Sequence, residues 1–320
     1  MPSEFDLIRR FFVRPTRQTL LGAGDDGALI APTPGCELVI STDLLVEGTH
    51  FLSDTAPFDL GWKTLAVNVS DMAAMGAMPR WAMLAAALPA PASDGLKPFD
   101  WLDAFSRGFF ACADAFKIDL IGGDTTRGPR AFCVTIMGEV PRGKALLRSG
   151  ARVGDSIWIS GTPGRAALGL AHLQSRASLT EPQLGQCLAA LHRPQPRVAL
   201  GLALRGLASA AIDVSDGLLA DLVHILTASH CAAKLHIPHL PPAGLARDCY
   251  LSGGDDYELI FTLPATHHPF MATLAVELDL PLTCIGVITP NTSGTPGTFV
   301  LHDDQGLPIT PARHGFDHFL

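Results

Sequence analysis

Six short frames rich in Gly, Ser and Thr carry carboxylates: Gly24-Asp25-Asp26, Ser41-Thr42-Asp43, Ser70-Asp71, Gly122-Gly123-Asp124-Thr125-Thr126, Asp213-Val214-Ser215-Asp216 and Gly253-Gly254-Asp255-Asp256. Carboxylates gathered at one place repel, and moving them out of water is costly unless cations neutralise them. Small neighbours let the backbone approach a polyanion and add N–H or oxygen contacts. Hard oxygen donors with few sulfur or imidazole partners suit Mg²⁺ better than zinc. Each Gly-Asp cluster alone reads as an acidic surface turn. All six together imply a metal-bridged phosphate site.

Two of these acids stand out individually. Asp43 follows the apolar run 37–42 and is expected at the C-terminal end of a strand, where open α/β sheets place ligands. Asp71 interrupts an otherwise apolar helix, and a lone buried Asp needs a partner. Asn68 and Asp71 are three apart on that helix, so both can point toward one site. Other chemistry is weaker. Gly138 to Ala145 nearly matches a P-loop but ends on Ala145, which has no hydroxyl for Mg²⁺, and Pro141 removes an N–H; it reads as a domain connection. His50 reads either as a substrate contact or as a loop residue. His236 and His239 flank Pro238 and read as edge-strand residues. His267-His268 reads as the solvated start of a helix. No Ser–His–Asp or Cys–His arrangement can be singled out from spacing.

The elements that must position these acids follow from periodicity. Strands are expected over 37–42, 81–88, 131–140, 156–160, 208–214, 257–263 and 283–288. Helices are expected over 62–75, 99–116, 164–174, 194–207, 217–229 and 269–278. The first carries an apolar stripe of Trp62, Leu65, Ala66, Val69 and Met72. Residues 122–128 then form a loop between a helix and a strand. A break near 141–154 divides the chain into domains 1–145 and 146–320, each α/β or α+β. Residues 291–297, rich in Gly, Ser, Thr and Pro, form a mobile turn.

The 320 residues are 48% hydrophobic and 17% charged, with a net charge of −8. That is a globular composition able to fill two cores. The absence of a basic block argues against a nucleic-acid partner. The longest apolar run, 81–88, is too short to span a bilayer. The N-terminus shows no signal peptide, so a cytoplasmic protein is expected. Seven scattered cysteines without Cys-x-x-Cys form neither a disulfide framework nor a zinc cluster.

Taken in order, the motifs become specific. They run Gly-Ala-Gly-Asp-Asp-Gly-Ala at 22–28, Ser-Thr-Asp-Leu-Leu-Val-Glu-Gly-Thr-His-Phe at 41–51, and Asn-Val-Ser-Asp-Met-Ala-Ala-Met-Gly-Ala at 68–77. Gly-Gly-Asp-Thr-Thr-Arg-Gly-Pro at 122–129, Leu-Leu-Arg-Ser-Gly-Ala at 146–151 and Ile-Asp-Val-Ser-Asp-Gly-Leu at 212–218 follow. Ser-Gly-Gly-Asp-Asp-Tyr-Glu-Leu at 252–259 and Gly-Phe-Asp-His-Phe at 315–319 complete the series. Over essentially the whole chain this resembles the thiamine-monophosphate kinase family of the aminoimidazole ribonucleotide synthetase-like superfamily.

The resemblance implies an N-terminal α/β domain whose sheet pairs with its twin across a homodimer, and a C-terminal α/β domain. It implies ATP-dependent phosphorylation of thiamine monophosphate to thiamine diphosphate, the final step of that cofactor's synthesis. Asp26, Ser41, Thr42, Asp43, Asp71, Asp124, Asp213 and Asp216 would hold several Mg²⁺ ions. Gly123, Asp124, Arg148 and Ser215 would contact ATP, and His50, Asp255 and Phe316 the thiamine phosphate. No protein base is assigned. Three positions depart from the family's usual pattern: Asp255 replaces Glu, Gly27 replaces Ala or Cys, and Phe316 replaces Tyr. The rival readings are another ATP-dependent enzyme of the superfamily and a catalytically idle nucleotide- or metal-binding module.

Overall fold

The computed structural model describes residues 4–89, 98–303, 305–313 and 315–316; Asp317, His318 and Phe319 of the tail motif lie outside the described residues. The chain divides into two compact units, Met1–Met72 with Ala77–Gly143, and Ala73–Gly76 with Lys144–Leu320.

The first unit contains α1 (Glu4–Phe11), β1 (Cys36–Val46), α2 (Pro57–Ala74), β2 (Met78–Leu88), α3 (Pro98–Phe116), β3 (Asp119–Arg127) and β4 (Ala131–Pro141). Its sheet has the order β1-β4-β2-β3, with β2 and β3 parallel and the other pairs antiparallel. The inward rows of the sheet carry Leu45, Leu84, Phe132, Val134 and Ile136, all buried. Phe105 of α3 stacks on Phe132 of β4 with ring centroids 4.5 Å apart. Helices α2 and α3 meet backbone to backbone: a Cβ on Gly61 would strike Phe105 O, and one on Gly108 would strike Phe58 O.

Three expectations change here. Helix α2 is not a one-sided stripe; Lys63, Thr64, Asn68 and Ser70 are buried along with the apolar positions, as in a helix enclosed on all sides. Asp43 is interior to β1, which runs on to Val46. Residues 122–127 are not a loop but the second half of β3, paired with Met83 to Leu88 of β2. Parallel pairing overrides the poor strand propensity of Gly-Gly-Asp, and Gly123 is required there because a Cβ would collide with Leu84 O.

The segment bearing Gly24-Asp25-Asp26 is tied down at both ends by buried carboxylates. Asp119 accepts the N–H groups of Arg17 and Gln18 and the hydroxyl of Thr19 at 2.8–3.0 Å. Glu139 accepts Thr33 N at 2.5 Å, Thr33 Oγ1 at 2.9 Å and Arg80 Nε at 2.9 Å. Arg80 also donates to Gln18 Oε1, linking the two anchors.

The second unit contains β5 (Ser156–Ser160), α4 (Arg165–Leu173), α5 (Gln183–His192), α6 (Val198–Ala203), β6 (Ala210–Asp213), α7 (Leu218–Ala228) and β7 (Ala232–His236). It continues with α8 (Leu245–Ser252), β8 (Leu259–Leu263), α9 (His268–Glu277), β9 (Leu282–Thr289), β10 (Phe299–His302) and β11 (Pro308–Ile309). The sheet order is β11-β10-β7-β9-β5-β8-β6. Helix α7 buries Leu218, Leu222 and Ile225, with Leu219 and Leu226 beside them, in the core formed with Ile157, Ile159, Ile212 and Ile260. That is the i, i+4, i+7 stripe of a helix lying on a sheet.

The helix expected over 194–207 shrinks to Val198–Ala203, because Pro194 and Pro196 precede it and residues 204–207 turn. His236 ends β7, which is flanked by β10 and β9 and is therefore not an edge strand; His239 lies beyond it in a left-handed turn. His268 starts α9 but is half-buried: Nε2 lies 2.5 Å from Ser156 Oγ and the ring meets Trp158 edge-on.

Burial alone would raise the Glu139 carboxyl, but the bonds from Thr33 and Arg80 outweigh it and hold the group below its ordinary 4.5. A carboxylate held low contributes fully above its unfolded value and loses that contribution as pH falls through the folded one. Glu139→Gln should therefore lower unfolding free energy by about 2 kcal/mol near neutrality. The gap from the parent should close below pH 4.5. Urea unfolding of both proteins at about pH 7 and about pH 4 checks this; a gap unchanged with pH would contradict it.

Candidate active site

In the first unit the acids are arranged around β1 and α2. Ser41 Oγ donates to Asp71 Oδ2 at 2.6 Å, and Asp43 N donates to Asn68 Oδ1 at 3.1 Å. The i, i+3 pair on α2 thus reaches two residues of one face of β1. Thr42 lies between them and points to the opposite face, where its hydroxyl donates to Val134 O at 2.9 Å, as strand alternation requires. Its hydroxyl is therefore not brought together with the Ser41 hydroxyl and the Asp43 carboxylate.

The row Asp43–Val134–Leu84–Gly123 crosses the whole sheet, so Gly123 shares the register of Asp43, while Asp124 stands one position on in the row Leu44–Cys133–Ala85–Asp124, on the face that Thr42 shares. Three strand spacings separate β1 from β3, about 14 Å. Asp26 lies in an exposed turn and its N–H donates to Asp25 Oδ1 at 2.9 Å. His50 closes the turn after β1: its Nδ1 accepts Val46 N–H at 3.0 Å, which places the ring proton on Nε2.

In the second unit the structure brings several of the expected residues onto one loop. Strand β6 ends at Asp213, and residues 214–217 turn into α7. Asp255 N donates to Ser215 O at 2.7 Å, Tyr257 N to Val214 O at 2.8 Å, and Phe316 N to Asp216 O at 2.9 Å. Asp213, Ser215, Asp216, Asp255 and Phe316 are thus assembled on one stretch of main chain. Asp255 takes a left-handed backbone with φ of 63°, which Asp tolerates better than most residues. Phe316 keeps about half its surface, 52%, exposed. Arg148 is exposed on a segment that runs beside β6, where Ala211 N donates to Leu147 O at 2.9 Å.

Buried acids to which the motifs gave no ligand role surround this loop cluster. Asp221 Oδ2 accepts the N–H groups of Ser215, Asp216 and Gly217 at 3.0, 3.0 and 3.1 Å. Burial first, and then the Asp216 carboxylate, push Asp221 up to about 7 against the pull of these donors. Asp256 accepts Gly164 N at 2.7 Å and Ala166 N at 3.4 Å; burial pushes it well above the usual carboxylate range. Glu258 is paired with Arg197 at 2.7 and 2.5 Å and accepts Ser160 Oγ at 2.5 Å. Asp221 carried a legible signal: it is the one acid in the apolar helix 218–228, the same signal that singled out Asp71.

The donors are carboxylates and hydroxyls, and among the described residues no three His, Cys, Asp or Glu side chains cluster closely enough to hold a metal ion. Mg²⁺ is commonly held by one or two carboxylates, with water and substrate phosphates completing the shell. Pairs such as Ser41–Asp71 fit a cation that arrives with a polyanion; they do not fit a permanent all-protein cage.

The chain matches the N-terminal domain of AIR synthase related protein over residues 24–140 and its C-terminal domain over residues 152–296. It is 46% identical to the thiamine-monophosphate kinase of Salmonella typhimurium (strain LT2), over 99% of this chain and 98% of that one. The chain belongs to the thiamine-monophosphate kinase family. The crystal structure of thiamine-monophosphate kinase from Stenotrophomonas maltophilia K279a is 47% identical with a TM-score of 0.81, covering 94% of this chain and 96% of that one. A structure of AaThiL complexed with AMPPCP and TMP is 28% identical with a TM-score of 0.75, covering 98% and 96%. Likeness to solved thiamine-monophosphate kinase structures thus covers 94% or more of the chain. Among the described residues no helix is long and apolar enough to cross a membrane.

For a member of this family, Asp71→Asn tests the first-unit pair. The amide oxygen can still accept from Ser41, so thermal unfolding should shift little. Loss of the charge should cut turnover on the order of 100-fold or more. Near-normal turnover at saturating Mg²⁺ would remove Asp71 from the site.

Proposed function

We propose that this chain transfers the γ-phosphoryl group of ATP to the phosphate of thiamine monophosphate, giving thiamine diphosphate and ADP, the last step in making that cofactor. The observation that carries the reading is the meeting of Ser215, Asp216, Asp255 and Phe316 on one loop through main-chain bonds. Full-length likeness to thiamine-monophosphate kinases supports it, as does the complex of AaThiL with AMPPCP and TMP. The two domains would divide near Gly143–Lys144, where the compact units part.

Asp26, Ser41, Thr42, Asp43, Asp71, Asp124, Asp213 and Asp216 would hold Mg²⁺, with Thr42 and Asp124 standing on the other face of the sheet from Ser41 and Asp43. The distance between β1 and β3 favours more than one ion. Bound Mg²⁺ would screen the repulsion between two polyanionic reactants and hold their oxygens in line. Gly123, Asp124, Arg148 and Ser215 would contact the nucleotide, Arg148 by supplying positive charge to phosphate oxygens. The exposed Phe316 ring would lie against a ring of thiamine, Asp255 would pair with its cationic or amino groups, and His50 would offer Nε2–H. The accepting phosphate is already ionised near neutral pH, so no protein base is needed. Carboxylates engaged by cations are poor nucleophiles, which favours direct in-line transfer over a phosphoenzyme.

A homodimer is supported by the outer face of the first sheet. Ile40 and Leu44 of β1 are 60% and 53% exposed, and Met83 of β2 adjoins them across β4. An exposed apolar sheet face of this kind marks an association surface. Leu44→Asp should convert the dimer to a monomer in sedimentation velocity, and a dimer that survives would place the interface elsewhere.

ADP release with ATP and Mg²⁺ should depend on thiamine monophosphate, and failure of that acceptor to stimulate release would overturn the reading. Asp255→Ala should raise KM for thiamine monophosphate far more than KM for ATP; an equal rise in both would make Asp255 a metal ligand or a folding residue. With ATP chiral at the γ-phosphorus the product should be inverted, and retention would indicate a relay through the protein.

A further inference from the structure

We propose that Asp221 is the positioning residue of the 213–217 loop, and that by filling the loop's own anion-binding concavity it turns that loop into a site for cations rather than phosphate. The proposal rests on the roles given above to Asp213, Ser215 and Asp216.

Three successive backbone N–H groups converging on one point form a concavity that ordinarily receives an anion such as a phosphate oxygen. Ser215, Asp216 and Gly217 make this arrangement, directly before the first turn of α7. The point of convergence is occupied by the protein's own Asp221 Oδ2, at 3.0, 3.0 and 3.1 Å. Asp221 is buried, and it can reach back from α7 because that helix begins at Leu218, three residues earlier.

Two consequences follow. With the three donors satisfied internally, this main chain has no N–H of residues 215–217 to offer a nucleotide phosphate, so the contact given to Ser215 must come from its hydroxyl. The groups facing outward are oxygens, the Asp216 carboxylate and the Ser215 hydroxyl, while Asp213 is buried at the end of β6. The Ser215 and Asp216 carbonyls are taken by Asp255 N and Phe316 N. Asp221 therefore fixes, through one carboxylate, the main chain that carries both the cation ligands and the attachment points of Asp255 and Phe316. Converging N–H groups before a helix suit a phosphate; the internal carboxylate reverses the charge this turn accepts.

The test compares Asp221→Ala, Asp221→Asn and a control, Asp155→Asn. Asp155 is a buried carboxylate of the same unit that accepts Arg152 N and Ser209 Oγ, away from the loop. Free Mn²⁺ is counted by electron paramagnetic resonance with and without AMPPCP, alongside thermal unfolding. Asp221→Ala should weaken Mn²⁺ binding at least tenfold; Asp221→Asn, which keeps an accepting oxygen, should recover part of that loss. Asp155→Asn should lower the unfolding temperature yet leave Mn²⁺ binding within twofold. Unchanged Mn²⁺ affinity in Asp221→Ala, an equal loss in Asp155→Asn, or no Mn²⁺ binding by the parent protein would each overturn the proposal. Should Asp221→Ala not fold, amide exchange in the ligand-free parent decides: residues 215–217 should be protected as strongly as β6, and exchange at free-peptide rates would refute it. None of these measurements uses thiamine monophosphate. A parent protein that binds Mn²⁺ but shows no ADP release with that acceptor would defeat the proposed function and leave this inference standing.

Discussion

A carboxylate withdrawn from water must be met by donors, and in this chain the donors are mostly the backbone N–H groups of loops. Asp221 holds three of them, Asp119 two with a hydroxyl, Asp256 two, and Glu139 one together with Arg80. Each such acid binds a loop to an element of the core: Asp119 and Glu139 fasten the two ends of the segment bearing Asp26, Asp221 fastens the turn after β6, and Asp256 the start of α4. Where the acid is ionised, as Glu139 is near neutrality, such bonds are about twice as strong as neutral ones. The loops that carry the candidate ligands are held by side chains that are not themselves ligands.

The acids therefore form two populations with opposite requirements. One is buried and satisfied by the protein. The other, represented by Asp26, Asp124 and Asp216, is partly or fully exposed on turns or an edge strand and is suited to cations supplied from outside. The adjacent pair Asp255–Asp256 differs: Asp256 is enclosed, with burial and neighbouring acids raising its carboxyl, while Asp255 is half-buried on a left-handed backbone. Glu258, two residues further on, is instead neutralised by Arg197. Three acids within four residues coexist because each is met by different chemistry.

This division was only half legible in the sequence. Strong periodicity located α2, α3, α7 and most of the strands, and the acidic frames located the loops of interest. Side-chain type does not distinguish an Asp that receives backbone N–H from one that receives a cation, so Asp119, Glu139 and Asp221 were passed over although Asp221 interrupts an apolar helix as visibly as Asp71 does. The Gly-Gly-Asp-Thr-Thr run was misread because pairing to β2, a tertiary effect, makes a strand of a segment whose local propensity says loop. Short elements such as β10 and β11 leave too few residues for a period to register. The all-round burial of α2 was hidden because Thr64, Asn68 and Ser70 are polar in sequence but hydrogen-bonded or enclosed in place.

The presence of Asp at position 255 has a backbone explanation. Residue 255 sits at φ of 63°, held there by its N–H on Ser215 O. That conformation costs a Glu more than an Asp, whose short polar side chain interacts locally with the backbone. Asp255 gives up one methylene of reach and relaxes the turn that supports it. Because the same turn is fastened to Ser215, and Ser215 to Asp221, a stiffer Asp255 turn stiffens the loop that carries Asp216. The backbone conformation of residue 255 and the rigidity of the loop after β6 are thus coupled through one main-chain bond.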